Sequence, residues 1–157
     1  MTYLVLKTLH ILSVTLFFGA GLGSVFVKLH ADRTGDAHAI AFAHRTVVLA
    51  DWLFTIPSGV LLPLTGFWMV WLVGYDWQHG WIAMGLGLYV IAGLSWLPAW
   101  RLQFLMRDAA VESARAGTPL PAAYTTWTRV WALLGIPSFL ATVTAVFVMV
   151  AKGFVTG

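Results

Sequence analysis

Few residues in this 157-residue chain have chemistry to offer. Cysteine is absent, which removes disulfides, thiolate nucleophiles, iron–sulfur clusters and cysteine zinc sites together. The sequence carries no hydrolase triad, P-loop, Rossmann fingerprint or zinc signature. Imidazole and thioether remain. His10 lies inside a long apolar run, and neutral imidazole is the commonest metal ligand. Met69, Met149 and His79 are the side chains that could join it. A His/Met or His/His pair holds the iron of b-type haem, and soft thioethers suit Cu(I). The plainer alternative is a structural histidine, hydrogen-bonded to a neighbouring helix or to interfacial water.

A second group centres on Asp51, at the edge of another apolar run. Ionisable side chains at membrane depth are costly and therefore point to function. Two readings stand side by side. Asp51 is either a headgroup-level ion-pair partner of Arg45, Arg101 or Arg129, or a proton-relay or gating carboxylate facing His44 or Lys28.

These residues are positioned by elements that the composition dictates. Hydrophobic residues make up 60% of the chain and charged residues 10%, too little polar surface to coat a water-facing domain. Charges are missing from residues 8–27, 52–75, 80–100 and 130–151, and each run reaches the roughly 20 residues that a helix needs to cross about 30 Å of hydrocarbon. The expectation is an all-α, four-helix transmembrane up-down bundle forming one domain over 1–157. Its spans fall at about 5–28, 46–74, 81–101 and 128–151. The first run lacks a basic segment ahead of it and exceeds a signal peptide's apolar core, so it reads as a retained span.

Seven of the nine Lys and Arg fall in or beside the connections between spans 1 and 2 and spans 3 and 4. Cytoplasmic loops carry that excess, which puts both termini and the link around Asp76 outside. The same bias accounts for the net charge of +3 through topology and anionic lipid, with no nucleic-acid partner. Asp36 is placed to cap a helix that starts before span 2, and Gly117-Thr118-Pro119 to stop one that outruns span 3. Both would extend into the cytoplasm. With this topology, His10, Met69 and Met149 all lie towards the outer face, and His79 lies in the outer link.

Periodicity then assigns faces. His10, Ser13, Phe17, Gly21, Ser24 and Lys28 share one side of the first helix. His44, Asp51, Thr55, Ser58, Leu62, Thr65 and Met69 share one side of the second, which is expected to look inward. Gly19 and Gly23 form a Gly-x-x-x-Gly pair that would let a neighbouring backbone approach. Trp77 and Trp81 near one boundary, with Trp52, Trp96, Trp100, Trp127 and Trp131 near the other, match the aromatic belts of a bilayer.

Four stretches carry a resemblance: Leu6-Lys7-Thr8-Leu9-His10-Ile11-Leu12, Phe18-Gly19-Ala20-Gly21-Leu22-Gly23, Val47-Val48-Leu49-Ala50-Asp51-Trp52 and Pro63-Leu64-Thr65-Gly66. With them the chain resembles an uncharacterised family of small bacterial integral membrane proteins. That family is distantly similar to HemJ-type protoporphyrinogen oxidases and to the membrane domain of the copper-resistance protein CopD. HemJ-type proteins open similarly and have a haem-associated histidine there, so the resemblance implies His10 as a haem b ligand in a bacterial inner membrane. Their essential arginine late in the first helix is replaced here by Gly23, Ser24 and Val25, with only Lys28 beyond. Their later lysine has no counterpart, since no Lys occurs between Lys28 and Lys152. The carry-over therefore stops short of porphyrinogen oxidation.

Three functions follow: a b-type haem protein for electron transfer or redox sensing, with a redox partner or a homo-oligomer; CopD-like copper binding or transport; or a cofactor-free structural or partner-binding membrane subunit. If the positive residues are assigned correctly, a phosphatase fused after Gly157 will be active outside the cytoplasm and a reporter inserted at Gly117 will not. The reverse pattern would overturn the topology.

Overall fold

The computed structural model describes residues 1–77 and 80–151, and among them every regular element is helical. The order is α1 (Thr2–Asp32), α2 (Ala37–Ala50), a π-helical turn (Asp51–Thr55), α3 (Ile56–Val73), α4 (Gly80–Ala116) and α5 (Ala123–Val150). Since α2, the π-turn and α3 run on without a break, four helical stretches are long and apolar enough to cross a membrane, as the charge-free runs require. The helices also outrun those runs where expected. Asp36 caps α2, accepting the His38 N–H at 3.0 Å.

At the other end of α4, Gly117 adopts φ +64° and the Thr118 amide reaches back to the Ser113 carbonyl at 3.1 Å. This six-residue return bond needs a left-handed residue, which glycine supplies without a Cβ clash. Pro63, Pro98 and Pro137 are all absorbed inside helices. Pro57 has a sharper effect. Its ring would strike the carbonyl of Leu53 in an ideal helix. The turn immediately before it, Asp51–Thr55, is the one that widens to π geometry.

The chain divides into two compact units, Met1–Gly74 with Arg107–Pro121, and Tyr75–Met106 with Ala122–Gly157. In the first, α1 lies against α2, the π-turn and α3. The direction is set by two side chains over two glycines: His10 faces Gly66 and Phe17 faces Gly59. Moving seven residues up α1 moves seven residues down α3, so the helices are antiparallel and in register. The close approach expected at Gly19 and Gly23 occurs instead at Gly59 and Gly66. A methyl placed on either α1 glycine would meet nothing within 4 Å among the described residues. A small residue permits close packing, but only the partner's side chains decide which glycines are used.

In the second unit, α4 and α5 are tied by Ser138, whose hydroxyl donates to the Ala92 carbonyl at 3.2 Å, and by Thr128, whose hydroxyl meets the Met106 sulfur at 3.5 Å. The Met149 methyl packs over Gly85.

Both units invert the soluble pattern. Only 11% of the most apolar stretch is buried in α1, and the same holds for α5, while Lys28, His44, Asp51, Thr55, Ser58 and Thr65 are buried. Lipid, as apolar as leucine, exerts no force to hide leucine. It does force polar groups inward. If Gly117 is the stop that its geometry indicates, Gly117→Val will lower stability in thermal unfolding in detergent by about 1–2 kcal/mol, the cost of a Cβ in the left-handed region.

Candidate functional site

The two polar faces read from periodicity meet each other. Ser13, Ser24 and Lys28 of α1 are buried and Phe17 is half-buried. Opposite them, His44, Asp51, Thr55, Ser58 and Thr65 are buried and Leu62 and Met69 are half-buried. Gly21, counted on the same face of α1, is exposed instead. The result is a continuous polar seam along the α1 interface with α2 and α3.

One end of the seam is built on His10. Its Nδ1 lies 2.8 Å from the Thr65 hydroxyl oxygen, fifty-five residues away in sequence. The Thr65 hydroxyl also donates to the Leu61 carbonyl at 2.6 Å. With the hydroxyl hydrogen on Leu61, the oxygen accepts from His10 Nδ1–H and the lone pair falls on Nε2; with it on His10, the roles reverse. Gly66, the next residue, gives the ring its room: a Cβ there would sit 3.4 Å from His10 Cε1.

The other end is ionic. Lys28, 1% exposed, donates to Asp32 at 2.5 Å, one turn along α1. His44 is fully buried within electrostatic range of both. A lysine taken out of water survives only with a close partner. Asp32 supplies it and is the site residue that sequence reasoning missed, because it was counted with the connecting segment. The Lys-to-Asp spacing of four was the available signal.

Asp51 is 2% exposed, one of two buried residues of the π-turn with Thr55. Arg45 is exposed, and the six residues separating it from Asp51 turn the helix by about 600°, onto a different face. Arg101 and Arg129 are also exposed and belong to the second unit. His10, Lys28, His44 and Asp51 thus lie along one seam of the first unit, and Arg45, Arg101 and Arg129 have exposed side chains.

Of the candidate ligands, Met69 lies on α3 one turn beyond Thr65, in the same unit as His10. Met149 is on α5 in the second unit, packed over Gly85. His79 lies outside the described residues. No group of three or more His, Cys, Asp or Glu is clustered to hold a metal ion among the described residues.

The His10–Thr65 bond is tested by removing the hydroxyl and keeping the shape. Thr65→Val leaves Nδ1 without its partner and should cost about 1–3 kcal/mol in detergent unfolding, whereas Thr65→Ser should restore most of that.

No curated protein and no solved structure matches the chain. Over residues 4–153 it matches the family described as predicted integral membrane protein (DUF2269), and it belongs to that family.

Proposed function

We propose that this member of the DUF2269 family of integral membrane proteins holds a b-type haem at His10, in a bacterial inner membrane with both termini outside, for electron transfer or redox sensing. The observation that supports the reading is the 2.8 Å contact between His10 Nδ1 and the Thr65 hydroxyl. Metal-ligating histidines almost always donate their other ring N–H to a neighbouring oxygen, which fixes the ring and leaves the ligating nitrogen deprotonated. Thr65 offers His10 such an oxygen. The similarity of Leu6-Lys7-Thr8-Leu9-His10-Ile11 to the HemJ-type opening supports the same residue.

The residues fit the group as a one-sided site. His10 would hold the group, Thr65 would orient the imidazole, and Gly66 would leave its ring space. Met69, one turn beyond Thr65, would be the thioether nearest in sequence to that contact. A haem bound there supplies one-electron chemistry at the membrane. The protein's part is to hold the imidazole neutral and oriented and to keep bulk water away.

A second reading is favoured by one observation: Met69 follows Thr65 by one turn on the side of α3 that meets His10. An imidazole and a thioether on the same side of a small ion suit Cu(I), the CopD-like alternative.

Absorption and metal analysis of the purified protein, expressed with ample haem supply, separate the readings. The haem reading expects a Soret band that His10→Ala abolishes and that Met69→Leu retains. Stoichiometric copper without porphyrin, lowered by both variants, replaces it with the copper reading. A colourless, metal-free protein of full stability overturns both and leaves a partner-binding subunit.

A further inference from the structure

Ser24 and Thr55 differ from the other buried hydroxyls of the seam. In the seam itself, Ser13 donates to Leu9, Ser58 to Phe54 and Thr65 to Leu61; outside it, Thr15, Thr142 and Thr144 likewise return their hydrogens to the carbonyl four residues back. A membrane helix thereby satisfies a hydroxyl without solvent. Ser24 and Thr55 are 6% and 4% exposed, yet neither oxygen has a hydrogen-bond partner among the described residues. At Thr55 the carbonyl four residues back, that of Asp51, takes the Ile56 amide instead, as π geometry dictates.

Register brings the two hydroxyls within about one helical turn of each other. His10 stands over Gly66 and Phe17 over Gly59; a further seven residues in each direction brings Ser24 to Trp52, inside the π-turn. The residues that the turn buries are Asp51 and Thr55, and α1 packs against it. Ser24 on α1 and Asp51 and Thr55 on the π-turn are thus buried at neighbouring levels of the same interface.

We propose that Ser24, Asp51 and Thr55 enclose an internal water site beside the π-turn. A buried hydroxyl without a partner is unfavourable, and a buried water is stable with two to four polar partners. Two hydroxyls and a carboxylate provide three. A metal cation is the poorer occupant: three side-chain oxygens fall short of the six or more that hard cations take, and the Lys28 ammonium is one turn from Ser24 on the same face of α1. Water here solvates Asp51 without exposing it. The site is independent of any ligand at His10.

The test uses the full chain in lipid nanodiscs. Infrared spectra are recorded in ordinary water and in oxygen-18 water, for wild type, Thr55→Ser and the Ser24→Ala/Thr55→Val double variant. The expected result is an isotope-sensitive O–H stretching band in wild type that persists in Thr55→Ser and is lost in the double variant. Identical isotope-sensitive spectra for wild type and the double variant overturn the proposal. So does a band that appears in sodium chloride and vanishes in choline chloride, since the occupant would then be a cation. If the double variant does not fold, Thr55→Val alone decides by the sign of its Tm shift. A fall supports a hydrated hydroxyl, and a rise reveals a dry site relieved of an orphan.

Discussion

The first unit depends on a single constraint: lipid offers polar groups nothing. In water, Ser13, Ser24, Thr55, Ser58, Thr65, His10 and Asp51 could turn outward at little cost. In hydrocarbon each must find a partner in the protein, and the common solution is one shared interface. That interface is the seam between α1 and the continuous α2, π-turn and α3 stretch, where the polar side chains are buried while leucine, phenylalanine and tryptophan face out. Hydroxyls satisfied by their own helix need no partner across it, and most here are so satisfied. The His10–Thr65 bond is of a different kind, because it joins two helices and so helps set their register.

The seam is not uniform along its length. At one end it is neutral, an imidazole anchored on a threonine over a glycine. At the other it is charged, with Lys28 held by Asp32 and His44 beside them. Between these ends the helix must pass Pro57, and it does so by widening the preceding turn. Regular helices bury polar groups by bonding them to the preceding turn. A π-turn disturbs that pattern locally and frees side chains for other work, which is why such turns gather at functional sites. Asp51 and Thr55 occupy this turn, and neither residue's placement follows from its own identity alone.

Much of this was legible beforehand. Four charge-free runs, the Asp36 cap, the Gly117 stop and the two polar faces all follow from local rules, and the helices and buried stripes agree with them. The site was legible only as a set of candidates. The spacing that puts Asp51 and Thr65 on one helical face says nothing about what stands opposite. The Gly19 and Gly23 pair, the stronger packing signal in sequence, meets no neighbour among the described residues, whereas Gly59 and Gly66 receive the Phe17 and His10 side chains. The π-turn had a visible cause in Pro57, but a proline alone allows a kink, a break or a bulge.

The division has a physical basis. Length, hydropathy and helical period are properties of a segment and its solvent, so the sequence alone was enough to give an all-helical integral membrane chain and the polar face of each of its first two spans. Register, and hence the pairing of His10 with Thr65 fifty-five residues away, arises from how two surfaces interlock. It is decided by Phe17 and His10 finding Gly59 and Gly66, a fit between shapes that no single segment encodes.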